Sequence, residues 1–315
     1  VMSYLVGRFV HGIRASNVFI FGPSKSGKTL LMLALYKEFI RNLGGKRKEV
    51  FIAEDEDSMR IENLLSDLEG GVLPRSTRPS DLGLYIFSGK KHGISPVSLT
   101  IIDYAGEYTA DVDEKKYHDA ISAISNELEV RVEVLEAKIG DPDYLLYLKN
   151  EYKSEVRKVL DQIVLAYIYK NLLNSGKVLF LADGDHLARF YNGGRRELTR
   201  ICGHYSRIME LCGADKKYGL VVTKTDTFYQ LSDGDGTFKD TEQVELDIYK
   251  EWFSDIDTFQ EINNRALEMP IYFYATSVFR TSQPISESPV GDGTETVVPR
   301  YIHPWGVDGI VKFGF

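Results

Sequence analysis

The segment at residues 22–29 limits the possible folds of this chain more than any other part of the sequence. It reads Gly-Pro-Ser-Lys-Ser-Gly-Lys-Thr. They follow a β-branched and aromatic run at 17–21 and lead into an apolar, helix-forming stretch that begins at Leu30. A strand, a glycine-bounded loop and a helix in that order are the layout of a phosphate-binding loop. Successive backbone N–H groups of such a loop, with the positive end of the helix dipole behind them, form a concave anion site. We therefore predict that this segment binds phosphate groups.

Each position of the loop has an expected role. Gly22 and Gly27 permit backbone angles and a close approach that a side chain would block. Lys28 is expected to reach the β- and γ-phosphates of a nucleotide, and the Thr29 hydroxyl to bind Mg²⁺. The other loop residues expected at the ligand are Ser24, Lys25 and Ser26. For Lys25, a solvated side chain that points outward is favoured over one that adds charge to the phosphates.

Composition excludes several other classes of protein. The 315 residues are 43% hydrophobic, which is enough for a substantial core, and the net charge of −8 argues against a nucleic-acid surface. Cys202 and Cys212 lack the spacing of metal ligands, so we expect reduced packing residues of a cytoplasmic protein. No apolar run reaches the length of about 18 residues that a membrane-spanning helix needs. Because the first residue is Val1, an upstream membrane anchor is left open.

A second motif follows a strand-like run at 97–102, where the sequence reads Asp103-Tyr-Ala-Gly106-Glu107. An aspartate at the carboxyl end of a strand can hold Mg²⁺ through a water molecule. The N–H group of Gly106 can meet the γ-phosphate and so sense whether it is present. The alternative, that Asp103 only caps a helix, is less favoured next to a phosphate-binding loop.

Two further strands end in polar residues. The run at 218–222 leads into Thr223-Lys224-Thr-Asp226. The Asp226 carboxylate can accept hydrogen bonds from guanine N1–H and its exocyclic amine, which adenine does not offer, while the stem of Lys224 can lie on the face of the base. The strand at 270–275 ends in Thr276 and Ser277, whose backbone N–H groups can contact a guanine carbonyl.

Taken in order, the motifs GxxxxGKT, DxxG, TKxD and Ala-Thr-Ser resemble the motif series of the Ras-like, translation-factor-related GTPase superfamily, over residues 16–110 and 176–280. Residues 71–77 and the Asp-Tyr-Ala-Gly-Glu motif also resemble the double-GTPase-like branch of prokaryotic conflict and signalling systems. The resemblance implies an α/β fold with a doubly wound, mostly parallel sheet and GTP at the carboxyl ends of its strands. It also implies a Mg²⁺-dependent molecular switch that hydrolyses GTP to GDP.

This chain departs from that pattern at three positions, one of which is Lys25, in a loop position often held by a small residue. Thr223 stands where many members of the superfamily carry Asn, although the Rho-like group also uses Thr there. Glu107 stands in place of the usual catalytic Gln. A carboxylate can orient a water molecule or take its proton, but its negative charge lies near the γ-phosphate. We therefore expect hydrolysis to be slow without a partner protein.

The resemblance also requires a switch threonine that completes the Mg²⁺ shell when the γ-phosphate is bound. We choose Thr77, because Pro74 and Pro79 mark an extended loop around it. Arg75 or Arg78 could act as an arginine finger in cis, as in heterotrimeric G-protein α subunits. The favoured alternative is that both are solvated loop arginines.

Residues 111–175 exceed what a minimal GTPase needs. Apolar residues have helical spacing over 117–139 and again over 145–167, with Asp141 as the N-cap and Pro142 at the first position of the second helix. The spacing predicts an inserted hairpin of two long antiparallel helices. Two interpretations of the hairpin are open: it covers the sheet, or it binds a protein effector or regulator.

The expected organisation is therefore a P-loop domain at 1–110 and 176–280, the inserted hairpin at 111–175, and a mobile loop with a docked tail at 281–315. We expect Asp183 and Asp185 to end a strand and cap a turn rather than to bind metal. The sequence assigns no oligomeric state. Two other functions stay open: a non-hydrolysing GTP-binding scaffold whose inserted helices bind a partner, and an ATP-using enzyme, which the Thr-Lys-x-Asp motif argues against.

Overall fold

The computed structural model describes residues 18–39, 51–53, 55–70, 83–91, 95–103, 112–213, 215–233, 237–265, 271–278, 287–290, 293–296 and 304–314. The strands between residues 51 and 103, and those between 287 and 296, are described by their backbone alone. The strands are β1 (Val18–Phe21), β2 (Phe51–Ala53), β3 (Gly83–Lys91), β4 (Ser95–Asp103), β5 (Lys177–Asp183), β6 (Lys217–Thr223), β7 (Tyr272–Ala275), β8 (Glu287–Val290) and β9 (Gly293–Thr296). The α-helices are α1 (Lys28–Phe39), α2 (Asp55–Glu69), α3 (Glu114–Leu128), α4 (Val132–Lys138), α5 (Pro142–Glu151), α6 (Lys153–Lys158), α7 (Leu160–Asn174), α8 (Gly184–Ala188), α9 (Gly194–Cys212), α10 (Thr241–Ile248), α11 (Asp257–Arg265) and α12 (Val307–Gly314).

A four-stranded parallel sheet lies at the centre of the fold, in the order β1-β5-β6-β7. All three of its strand pairs are parallel. In their register Asp183 is opposite Thr223, and Val222 is opposite Ala275. The carboxyl ends of the strands therefore lie at one edge, where the loops that follow them meet.

A second sheet is antiparallel, with the order β2-β3-β4. The strand expected before Asp103 is present as β4, and Asp103 is opposite Gly83 of β3. Cα atoms of β4 come within 8 Å of β1, so this sheet lies beside the parallel one. The two sheets are hydrogen-bonded separately, which the expectation of one mostly parallel sheet did not include.

Alternate residues of the parallel strands face two different cores. One face carries large aromatic side chains, among them Phe19, Phe21 and Phe180, and packs against α3, α7, α9, α10 and α11. The other face is aliphatic, with Ile20, Leu181 and their neighbours packed against α1, α2 and α12. Helices therefore cover both faces of the sheet, as buried parallel strands require. The α/β class and the parallel sheet are confirmed.

The predicted pair of long helices between residues 117 and 167 is wrong in detail, because the structure divides these stretches into five helices, α3 to α7. The first stretch breaks after α3, where Glu129 adopts the left-handed conformation with φ 53°. The second begins as predicted, with Asp141 capping α5 and Pro142 in its first turn, but it breaks at Tyr152 and Val159. Most of α7 is buried in the aromatic core, so this helix covers the sheet.

The C-terminal helix α12 lies on the aliphatic face. Its residues Val307, Ile310 and Phe313 are buried in the same cluster as residues of α1. The ammonium group of Lys177, at the start of β5, donates to the Phe313 carbonyl over 2.8 Å. Hydrophobic packing and this bond together hold α12 against the sheet.

Both cysteines lie on α9 and neither forms a disulfide bond. Burial raises the pKa of the Cys202 thiol to about 12 and that of the Cys212 thiol to about 11, so both are protonated at neutral pH. They act as packing residues. Among the residues that the structure describes, no helix combines the length and the apolar character needed to cross a membrane.

Candidate functional site

The loop between β1 and α1 has the backbone geometry of an anion site. Gly27 has φ 82°, a region that side chains disfavour, and a Cβ atom there would lie 3.1 Å from the Thr223 hydroxyl. The Leu31 N–H group donates to the Gly27 carbonyl over 2.8 Å, so the first turn of α1 opens onto the loop. Lys25 is exposed, as the favoured interpretation of this residue expects.

The Lys28 ammonium group is held at the loop by backbone carbonyls. It donates to the carbonyls of Gly22 and Pro23, at 2.8 and 2.9 Å. Lys28 is only 6% exposed, so its positive charge is largely removed from bulk water. A charge in such surroundings interacts more strongly with an anion than a solvated one does.

Ser26 and Thr223 join the loop to the parallel sheet. The Thr223 hydroxyl donates to the Ser26 carbonyl over 2.8 Å and lies 3.2 Å from the Ala182 carbonyl of β5. Ser26 is fully buried, and within the described residues its hydroxyl has no hydrogen-bond partner. The Thr223 side chain supports the loop, because the carboxyl end of β6 lies against it, and the expected contact of Thr223 with a nucleotide stays a prediction.

The ammonium group of Lys224 is bound by two carboxylates, at 2.9 Å from Asp183 and 2.6 Å from Asp185. Asp183 caps α8 and accepts the Asp185 N–H over 3.0 Å, as predicted, but the sequence did not indicate the ion pairs. Gly184 is needed between them, because a Cβ atom there would collide with the Thr223 carbonyl. Burial lowers the pKa of Lys224, but the two carboxylates outweigh it and the net shift is upward. The lysine therefore stays protonated and fixed beside Asp226.

Asp226 is a buried carboxylate, 3% exposed. Burial raises its pKa to about 6, although the hydrogen bond from the Ser277 hydroxyl opposes that shift. Two carboxyl groups, Asp183 and Asp185, share the single ammonium group of Lys224 and form the Lys224 cluster with it, and burial raises the pKa of Asp183. Asp226 is a third carboxyl group beside them, so this part of the site is rich in acceptors and favours a ligand edge that presents hydrogen-bond donors.

The turn after β7 is already hydrogen-bonded within the protein. The Ala275 N–H group donates to the Glu245 carboxylate over 3.1 Å. The Thr276 N–H group donates to the Val222 carbonyl over 2.8 Å, and the Ser277 N–H group donates to the Trp305 carbonyl over 3.1 Å. The N–H groups of Thr276 and Ser277 therefore already have protein acceptors, and their expected contact with a base carbonyl stays a prediction. Ser277 instead reaches the site through its hydroxyl on Asp226.

Two residues at this site, Glu245 and Trp305, were missed from the sequence, and Asp183 and Asp185 were given only a capping role. Their ion pairs with Lys224 could have been found, because the hydrophobic runs of β5 and β6 both end in this region and parallel pairing brings their ends together. Burial raises the pKa of the Glu245 carboxyl to about 7, a sign of how enclosed the Ala275 N–H contact is. Trp305 comes from a distant segment, and no local pattern points to it.

The structure describes some of the other predicted site residues and leaves the rest undescribed. Arg75, Thr77, Gly106 and Glu107 lie outside the described residues. Asp103 ends β4 beside β1, with only its backbone described. Ser24 is exposed in the loop, and Thr29 is the second residue of α1. Within the side chains that the structure describes, no group of three or more His, Cys, Asp or Glu residues is arranged to hold a metal ion.

No protein-family model and no curated protein matches this chain. The loop, the Lys224 cluster and Asp226 together form the candidate site. All three lie at the carboxyl ends of the parallel strands. Thr223 connects the phosphate-binding loop to Lys224 and Asp226, because its hydroxyl is bonded to the Ser26 carbonyl and it directly precedes Lys224.

Proposed function

We propose that this chain is a Mg²⁺-dependent guanine-nucleotide-binding protein of the P-loop GTPase type, which hydrolyses GTP to GDP and phosphate and acts as a molecular switch. The observation that carries the proposal is the hydrogen bond from Thr223 to the Ser26 carbonyl, at 2.8 Å. It joins a loop suited to phosphates directly to the segment that carries Asp226. One ligand with phosphates at one end and a base at the other spans such a site.

The charges favour guanine over adenine. Guanine presents N1–H and an exocyclic amine side by side, and a carboxylate such as Asp226 can accept both bonds. Adenine places an unprotonated ring nitrogen there, whose lone pair would face a carboxylate in a negatively charged environment. Leaving a buried carboxylate without donors costs about 1–3 kcal/mol, or more for a charged group. The Lys224 stem, fixed at its end by Asp183 and Asp185, is positioned to lie along a base.

The loop residues fit phosphate groups and their metal. Lys28 brings a largely desolvated positive charge to the loop, and the buried Ser26 hydroxyl has an unused hydrogen-bonding capacity there. In the proposal Thr29, Thr77 and Asp103 hold Mg²⁺, since hydroxyl and carboxylate oxygens are the ligands that this ion prefers. When bound, the ion would neutralise charge on the phosphate oxygens.

Hydrolysis is assigned to the predicted switch segments. Glu107 would position the attacking water, Gly106 would sense the γ-phosphate, and Arg75 is the candidate for a cis arginine finger. Helix α3 begins at Glu114, seven residues after Glu107 in the sequence, and α3 to α7 are the proposed contact for a protein effector or regulator.

The direct test measures GTP and ATP affinities of the purified chain with and without Mg²⁺, together with phosphate release in a single turnover. We expect GTP to bind at least about tenfold more tightly than ATP, and Mg²⁺ to strengthen both. Equal affinities would contradict guanine selection, and no binding of either nucleotide would overturn the proposal. Tight GTP binding without phosphate release would favour the non-hydrolysing scaffold.

The preference for GTP should depend on pH. Because the pKa of Asp226 is about 6 in the nucleotide-free protein, its carboxyl is ionised above that pH and protonated below it. Only the ionised form accepts both guanine donors, so the ratio of GTP to ATP affinity should be constant near pH 8 and fall as the pH drops below about 6. The ratio is the appropriate measurement, since protonation of the triphosphate affects both nucleotides alike. A ratio that stays unchanged from pH 8 to pH 5 would exclude Asp226 as the base-binding carboxylate.

A further inference from the structure

We infer that Trp305 and Gly306 are positioning residues for base recognition: they hold the turn at 276–277, and through it Asp226, in the geometry that selects guanine. The inference rests on the proposed function, because it concerns the same base site. It adds a dependence on the C-terminal segment, which lies outside all four motifs.

Trp305 is bound to the turn by three hydrogen bonds. Its N–H group donates to the Ser277 carbonyl over 2.9 Å, and its carbonyl accepts the Ser277 N–H over 3.1 Å, which forms an isolated antiparallel bridge. The Trp305 carbonyl also accepts the Thr276 hydroxyl over 2.9 Å. Ser277 in turn donates its hydroxyl to Asp226. A continuous series of bonds therefore runs from the C-terminal segment to the base-selecting carboxylate.

The turn is also fixed to the segment that carries Asp226. The Thr276 carbonyl accepts the N–H and the hydroxyl of Thr225, at 3.2 and 3.0 Å. Both Thr225 and Thr276 are buried, so these bonds are shielded from competition by water. A shift of the turn must therefore move Thr225, which directly precedes Asp226.

Gly306 allows Trp305 to come this close. It has φ 76°, and a Cβ atom at this position would collide with the Ala275 carbonyl. Trp305 belongs to the aromatic core, whereas Val307 and the rest of α12 belong to the aliphatic core. Gly306 is thus the point at which the chain passes from one face of the sheet to the other, directly beside the end of β7.

Helix α12, which follows Gly306, packs near the phosphate-binding loop. The apolar residues of α12 are buried together with Leu31 and Leu35 of α1, the helix that begins at Lys28. The C-terminal segment is therefore fixed on one side to the helix behind the loop and on the other to the turn behind Asp226. Its loss should mainly affect guanine recognition, because the bonds from Lys28 to the Gly22 and Pro23 carbonyls do not involve the C-terminal segment.

The test compares Gly306→Ala with Gly213→Ala. Both glycines have positive φ, 76° and 85°, but a Cβ atom at Gly213 meets nothing within 4 Å. The control therefore introduces a similar backbone strain without a collision at the site. We expect Gly306→Ala to weaken GTP binding about tenfold with ATP affinity nearly unchanged, and Gly213→Ala to leave the ratio of the two affinities at the wild-type value.

A conservative second variant keeps the test valid if Gly306→Ala does not fold. Thr276→Val has nearly the same shape but lacks the hydroxyl bond to Trp305, and we expect it to reduce the GTP-to-ATP affinity ratio a few-fold. The pH dependence of that ratio is a second readout. Asp226 is faced by Ser277, Lys224 and Asp185, and the Ser277 bond lowers its pKa. Loosening the turn should therefore move the midpoint of the ratio to higher pH, which a general loss of folded protein would not do.

The outcomes separate this inference from the proposed function. If the wild type shows no preference for GTP, the proposed function fails and the inference fails with it. If the wild type prefers GTP but folded Gly306→Ala and Thr276→Val keep the full preference and the same midpoint, only the role of the C-terminal segment is overturned. If ATP affinity falls as much as GTP affinity, the segment supports the whole domain rather than the base site.

Discussion

Lys28→Ala should reduce the affinity for GTP and for ATP by at least about a hundredfold. The lysine is 6% exposed, and two charges about 4 Å apart interact by about 4 kcal/mol at the effective dielectric constant typical near a protein surface. The substitution also removes the bonds that hold the Gly22 and Pro23 carbonyls, so the loop loses both its charge and part of its fixed shape. Isothermal titration with each nucleotide in Mg²⁺ measures the loss.

Lys37→Ala is the matched control for that experiment. Lys37 lies on the same helix and forms an exposed ion pair with Glu69 at 3.0 Å, which contributes little to stability. Its removal changes the net charge equally but should leave both affinities within about twofold, because exposed charges are screened by salt. If Lys28→Ala is folded and binds GTP as tightly as the wild type, the loop is not a phosphate site.

Asp226→Asn should exchange the preferred base. The amide keeps one acceptor oxygen but presents an N–H group where guanine presents its own exocyclic amine, so GTP affinity should fall about ten- to a hundredfold. Xanthine carries a carbonyl at that position and can accept from the new amide, so xanthosine triphosphate should bind the variant more tightly than the wild type. ATP, which gains nothing from the carboxylate, should bind both proteins alike.

Asp247→Asn is the control for the base exchange. Asp247 lies on α10, and its carboxylate accepts from the Tyr229 hydroxyl at 2.8 Å and the Gln243 amide at 2.7 Å rather than from Ser277, the partner of Asp226. This variant undergoes the same change of charge and should keep the wild-type order of nucleotides. A loss of affinity for all three nucleotides in Asp226→Asn, without any gain for the xanthine nucleotide, would indicate a structural rather than a base-binding carboxylate.

The parts of the fold that could be predicted are those with strong local signals. The positions of β1 and α1 were predicted almost as observed, from the strand-like run before Gly22 and the apolar stretch after the loop. Asp141 with Pro142 gave the start of α5, because a capping side chain and a fixed φ act within one turn. The buried runs that end at Asp183 and Thr223 likewise indicated strands, which are present as β5 and β6.

The parts that could not be predicted are set by packing between distant segments. Glu129, Tyr152 and Val159 end helices without any Gly or Pro at those positions; their backbone angles follow from how α3 to α7 fit against one another. In the candidate site the residue types of the loop and Asp226 were predictable from their motifs. The support of the loop by Thr223 and of the turn by Trp305 was not, because both contacts join segments far apart in the chain.

The two unlike faces of the parallel sheet determine how a distant event can reach the loop. Helices α3 to α7 pack in the aromatic core and α1 in the aliphatic core, so the four strands separate them. Within β1, Phe21 faces the first core while Ile20 beside it faces the second, so pressure on one face displaces side chains on the other. A force applied to helices α3 to α7 would therefore reach α1 through the strands that lie between them. The sheet separates the two hydrophobic cores, and its stiffness determines how much of such a displacement reaches Gly22, directly after the end of β1.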